Sequence, residues 1–213
     1  MEKYLTKSKT LVLLDAGHGS ETPGKRSPVW SDGKQLFEWA YNRVIVRYIK
    51  DYLKLMGVSY VDIVTENNDI SLTERVERAN SIYIKHKDDY ELIYLISIHG
   101  NAAKNEKANG IEVFTSIGQT MADPIAEMLY KELKKIGWRM RKDVQDGDND
   151  KEAKFKMLTD TIMPAVLSEN GFYTNEEECH RMMKFEWNME VARAHYRTIF
   201  EIEKIYVRKG SLK

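Results

Sequence analysis

Two rhythms of apolar residues alternate along this chain. Short unbroken runs, among them Leu11-Val12-Leu13-Leu14, Leu92 to Ile98 and Ala165-Val166-Leu167, read as strands buried on both faces. Between them, apolar residues recur at helical spacing. The runs predict strands near residues 10–15, 59–65, 92–98, 111–116 and 164–169. The periodic segments predict helices over about 36–56, 71–87, 120–136 and 186–207, with a short one near 152–160. In the first helix, the stripe through Phe37, Tyr41, Val44, Tyr48, Tyr52 and Leu55 is expected to pack on the sheet, with Gly57 closing the helix. Ser71 and Glu74 carry the spacing of a capping box at the start of the second. Residues 143–151 are acidic and aperiodic, and are expected to form a mobile loop or edge.

Alternating strands and helices predict an α/β fold in three layers, a twisted and mostly parallel sheet with helices on both faces. The chain has 213 residues, which suits one domain spanning 1–213 with its core over about 10–207. A hydrophobic fraction of 42% and a charged fraction of 31% place it among soluble globular proteins. Lys+Arg and Asp+Glu both number 33, so no global field points to nucleic acid or to an anionic membrane. No run approaches the ~20 apolar residues of a membrane span, so no membrane insertion is expected. The short polar stretch from Met1 to Lys9 shows no signal-peptide pattern. Cys179 is the single cysteine, which excludes an internal disulfide framework; it reads as a thiol packed near a helix end.

Chemistry-bearing residues stand where three of the apolar runs end. The first strand leads into Asp15-Ala16-Gly17-His18-Gly19, the third into His99-Gly100-Asn101, and the last into Glu169-Asn170-Gly171. Ligands of open α/β sheets sit beyond the carboxyl ends of the strands, so these residues are expected at one rim. A catalytic zinc site draws three ligands from His, Glu, Asp and Cys and keeps a fourth position open. His18 and His99 are two candidates. Glu38, one residue off the apolar stripe of the first helix, is a third, or else a surface glutamate complementing the helix dipole. Glu169 reads as a general base turned general acid, or as a cap of the Asn170-Gly171 loop. Asp15 reads as a group orienting a histidine ligand, or as a strand terminator bonded to the Gly17-His18 backbone. His86, His180 and His195 read as surface or packing residues. No His-Glu-x-x-His helix, phosphate-cradling loop or Gly-x-Ser-x-Gly elbow is present.

The ordered set Asp-Ala-Gly-His-Gly, a helix-borne Glu, Ser-Ile-His-Gly-Asn-Ala and Pro-Ala-Val-Leu-Ser-Glu-Asn-Gly-Phe-Tyr-Thr-Asn resembles the zinc-dependent N-acetylmuramoyl-L-alanine amidases, the type 3 group. The likeness runs from about Thr10 to Asn175, with support from Ser71 to Arg75, Ala79-Asn80 and Gly110 to Phe114. It implies one zinc per chain held by His18, Glu38 and His99, with Glu169 as the catalytic glutamate. It implies peptidoglycan as substrate, cut between the muramic-acid lactyl group and L-alanine of the stem peptide. The site of action would then be the cell wall, periplasmic or extracellular, with delivery by a holin, by secretion machinery or behind a removed signal. No separate cell-wall-binding domain is read in the chain. After His18 the sequence departs from the family's Gly-x-Asp-x-Gly-like stretch, and Lys25 and Arg26 in that loop are candidates for stem-peptide carboxylates. Asn101 is a further candidate for substrate contact. Two other readings fit the same residues: a zinc peptidase or deacylase for another amide, and a non-catalytic wall-binding protein of amidase-like fold.

Overall fold

The computed structural model describes residues 8–143 and 147–210. Six strands form one sheet: β1 (Thr10–Ala16), β2 (Ser59–Asp62), β3 (Leu92–Asn101), β4 (Ile111–Thr115), β5 (Lys151–Glu152) and β6 (Ala165–Phe172). Their spatial order is β2-β1-β3-β6-β4-β5. All neighbours are parallel except β4 against β6. Six helices connect them: α1 (Glu38–Met56), α2 (Leu72–His86), α3 (Asp123–Lys134), α4 (Lys156–Thr159), α5 (Glu176–Met182) and α6 (Phe185–Gly210).

The central strands explain the layering. Leu11 and Leu13 point to one face of β1, Val12 and Leu14 to the other, and all four are buried. Val12, Leu14, Tyr94, Ile96 and Ile98 pack with α1, α3 and α6. Leu11, Leu13, Ile93 and Leu95 pack with Val76 and Ala79 of α2 and Met157 and Leu158 of α4. Helices therefore cover both faces, and the three-layer expectation holds.

Several boundaries differ from the sequence reading. Both β3 and β6 run on to Asn101 and Phe172, so His99 lies inside its strand rather than just past it, and Glu169, expected as the last strand residue, is followed by three more. Part of the acidic 143–151 segment, residues 144–146, lies outside the described residues, and Lys151–Glu152 form the edge strand. The short helix is reduced to Lys156–Thr159. Gly57 closes α1 as expected, at φ 69°, a left-handed conformation that glycine adopts without Cβ strain. Ser71 caps α2 by accepting from the Glu74 amide at 3.2 Å.

The largest correction concerns the face of α1. Its buried residues are Glu38, Tyr41, Asn42, Ile45, Val46, Ile49 and Leu53. Phe37 and Leu55, placed on the packed stripe by the sequence reading, are 40% and 78% exposed. The aromatic spacing had suggested a stripe rotated away from the aliphatic one that the sheet takes. Glu38 is thus on the buried face, at the end of the helix that overhangs the sheet rim.

Candidate metal centre and active site

Strand order fixes where a site can form. From β1 the chain passes through α1 to β2 on one side, then through α2 to β3 on the other. The carboxyl ends of β1 and β3 therefore flank a crevice at a topological switch point. His18 follows β1, His99 lies in β3, and Glu169 is its register partner on β6. The β3 register shifts between His99 and Asn101, an irregularity of the kind that re-aims side chains beside active sites.

His18, Glu38 and His99 converge there, each offering a ligand atom within 4.8 Å of the others, the one such cluster among the described residues. Glu38 Oε1 lies 3.3 Å from His18 Nε2 and 3.1 Å from His99 Nδ1. The two imidazoles meet edge to face, ring centroids 4.9 Å apart. Close approach is possible because residue 17 is glycine: a Cβ there would stand 2.1 Å from the His99 ring. Glu38 opens α1, and its amide is satisfied by the Lys25 carbonyl at 3.0 Å. One turn on, Asn42 donates to the Gly17 carbonyl at 3.1 Å.

The electrostatics of the cluster are those of an unfinished site. Glu38 is 1% exposed, yet its Oε2 has no hydrogen-bond partner. Glu169 Oε2 is buried and likewise unpartnered. Buried carboxylate oxygens normally find donors, so two orphans at one rim mark a place built for something else. Burial opposes the charged form of Glu38, but hydrogen bonds from both imidazoles outweigh it and hold its carboxyl well below the usual range. Burial lowers His18, whereas for His99 the burial penalty is exceeded by Glu38 and Glu169 and its pKa rises. Burial pushes Glu169 up to about 8, against the pull of His99. Two imidazoles and a carboxylate are the donor set of a catalytic zinc site, so the residues present fit the metal.

The remaining candidates fare differently. Lys25 Nζ lies 3.9 Å from Glu38 Oε2, inside the cluster. Arg26 is exposed, and only its backbone pairs with Phe37. Asn101 donates to Glu112 at 2.6 Å and accepts from the Ala102 amide, which turns it from the cluster toward β4. Asp15 contacts neither a ligand imidazole nor the Gly17-His18 amides directly: its carboxylate accepts from Arg75 at 2.7 Å and from Ser97 at 2.6 Å. A buried acid at a strand end needs donors, and the nearest full complement is the guanidinium that α2 supplies rather than a ligand imidazole. Arg75 itself was missed. The sign of it was available: Arg75 interrupts the buried face of α2 beside Val76 and Ala79, and an arginine there requires a buried partner.

Of the other histidines, His86 and His180 are surface residues facing Asp89 and Asp32. His195 is fully buried, its Nδ1 2.8 Å from the Val191 carbonyl and its Nε2 2.8 Å from Ser168 Oγ. Asn170 donates to that hydroxyl and to the His99 carbonyl at 3.1 Å, linking α6 to the back of the site. Cys179 is fully buried, and burial raises its thiol, as suits a packed side chain.

Comparison with known proteins gives the family and the fold. The N-acetylmuramoyl-L-alanine amidase family matches residues 12–201. The chain is 29% identical over 212 residues to an endolysin of Bacillus phage SPP1, covering 94% of this chain and 68% of the relative. It is 26% identical over 186 residues to the N-acetylmuramoyl-L-alanine amidase CwlM of Bacillus licheniformis, covering 86% and 65%. In fold it is similar to the crystal structure of N-acetylmuramoyl-L-alanine amidase from Clostridium difficile 630, with a TM-score of 0.76, 24% identity and coverage of 92% and 97%. Among the described residues no helix is long and apolar enough to cross a membrane. With the matched family covering nearly the whole chain, and a His-Glu-His cluster at the sheet rim that could hold a metal, the chain belongs to the N-acetylmuramoyl-L-alanine amidase family, whose activity is hydrolysis of an amide in peptidoglycan.

Proposed function

We propose that the chain is a zinc-dependent amidase that cleaves the bond between the lactyl group of N-acetylmuramic acid and L-alanine, with His18, Glu38 and His99 holding the metal and Glu169 moving the proton. The observation that carries this reading is the convergence of the three ligand side chains within 4.8 Å, beside half-buried Glu169, whose Oε2 is buried and has no partner. A bound zinc supplies Lewis acidity toward the scissile carbonyl and lowers the pKa of water.

The protein's own residues do the rest. Glu169 Oε2 takes a proton from the attacking water and returns it to the departing alanine nitrogen. A carboxyl pushed up to about 8 by burial is suited to both steps, because a group titrating near the working pH can both accept and give back a proton. With His18, Glu38 and His99 holding a cation, Glu169 would titrate lower and favour the accepting form. Glu112, opposite Glu169 in the β4–β6 ladder, has its charge balanced by Arg141 at 2.6 Å and Lys151 at 2.7 Å, leaving Glu169 the uncommitted acid. Lys25, half-exposed beside Glu38, and exposed Arg26 meet carboxylates of the stem peptide. The enzyme acts on the cell wall, outside the cytoplasm.

The test is digestion of purified sacculi with mass spectrometry of the released fragments. Free stem peptides beginning with alanine are expected. Cleavage within the peptide, or within the glycan, would overturn the assignment.

A further inference from the structure

We infer that Arg75 is a positioning residue for the metal centre: buried behind the site, it holds the backbone of His18 in a left-handed conformation that aims the imidazole at Glu38 and His99. The inference rests on the zinc reading of the site.

His18 has φ 61° and is the one non-glycine residue with positive φ among the described residues. An L-residue adopts that region only when its surroundings over-determine it. What over-determines it here is a pair of guanidinium groups. Arg75 Nη2 donates to the His18 carbonyl at 3.0 Å, and Arg43 Nη1 donates to the same oxygen at 2.9 Å. Arg75 spans the whole turn: Nη1 donates to the Ala16 carbonyl at 2.7 Å and Nε to the Ile70 carbonyl at 2.8 Å. Its charge is met at 2.7 Å by Asp15, which Ser97 of β3 holds from the other side. Arg75 is 2% exposed, so these bonds are shielded from water.

The chain Ser97–Asp15–Arg75–His18 therefore runs from β3 through β1 and α2 to the first ligand. His99 lies two residues beyond Ser97 on β3. One connected network thus registers both histidines against each other, and it grips His18 by its carbonyl rather than by its imidazole. Lysine cannot substitute, because a single ammonium cannot span Asp15 and three carbonyls lying in different directions.

The experiment measures zinc affinity by chelator competition, together with the melting temperature of the zinc-free protein, in Arg75→Lys, Asp15→Asn, Arg78→Lys and His18→Ala. Arg75→Lys is expected to weaken zinc binding about 10- to 100-fold, the range for groups that orient metal ligands, and Asp15→Asn about 10-fold. Arg78, on the same helix, pairs with Glu66 and Glu74, so Arg78→Lys is expected to lower the melting temperature with unchanged zinc affinity. Parental zinc affinity in folded Arg75→Lys, with only a lower melting temperature, would overturn the inference. If Arg75→Lys does not fold, Asp15→Asn decides alone, and parental affinity there overturns it equally. Full zinc content in His18→Ala would instead overturn the ligand assignment itself, so the two failures are distinguishable.

Discussion

Glutamate oxygens at the two ends of the sheet's central strands stand in opposite states. At the amino end, Glu203 of α6 accepts from the Lys9 amide at 2.8 Å, the Thr10 amide at 2.9 Å, and the hydroxyls of Ser8 at 3.0 Å and Thr10 at 2.5 Å. At the carboxyl end, Glu38 and Glu169 each keep a buried oxygen without a donor. Glu203 and Glu38 are both buried, at 7% and 1% exposure, so burial alone does not separate scaffold from site. Polar satisfaction does. A carboxylate saturated by backbone amides ties a helix to a strand, whereas one left short of donors beside two imidazoles is waiting for a cation or a substrate proton.

Neutralising each end should break this contrast in opposite ways. Glu169→Gln removes the proton carrier and is expected to lower kcat about 10²- to 10⁴-fold while zinc content stays at the parental level, measured by turnover on sacculi and metal analysis. Its melting temperature should hold or rise, since the lost carboxylate had an unpaired oxygen. Glu203→Ala strips acceptors from buried donors and is expected to cost about 3 kcal/mol in denaturant unfolding, with zinc content and kcat unchanged. A loss of activity without loss of stability at Glu203, or the reverse at Glu169, would break the comparison.

His195 sharpens it further, as a buried polar group at the back of the site whose two ring nitrogens are both engaged. Burial lowers its pKa to about 4, so the folded protein keeps it neutral while the unfolded chain protonates it near 6.5. Between those values the unfolded state binds the extra proton, so this contribution is complete above about pH 6.5 and is lost as pH falls toward 4. The loss amounts to about 3 kcal/mol, read from unfolding midpoints across that range. His195→Gln should flatten the slope. The smallest effect is expected at the exposed rim: Arg26→Ala should leave stability within about 0.5 kcal/mol. It should raise KM for wall fragments roughly two- to five-fold with kcat unchanged, the scale of one exposed charge contact.

How much of this was legible from the chain follows the same division. The buried runs of β1, β3 and β6 can be read directly, because strands covered on both faces leave no polar position to confuse the pattern. They place His18, His99 and Glu169 at one rim before any coordinates. Glu38 was identified for an incomplete reason. Aromatic residues at helical spacing outweighed the aliphatic stripe in the reading, but Tyr48, Tyr52 and Leu55 sit to the side of the face that Ile45, Ile49 and Leu53 bury. Asp15 and Arg75 lie 60 positions apart, and neither local spacing nor periodicity reports a pairing made across strand and helix. The acidic 143–151 segment could be read as a loop or an edge but not as a strand, because Lys151–Glu152 are too short to carry a period; β4 holds them through the ladder and the Lys151–Glu112 ion pair at 2.7 Å.

The central claim is that His18, Glu38 and His99 together hold zinc. Its most direct test is the zinc content per chain of protein purified without added metal, compared with Glu38→Gln prepared in the same way. One zinc per parental chain, and a clear deficit in the variant, is the result the account predicts. A parental chain that retains no zinc, or a variant that retains as much as the parent, would contradict it.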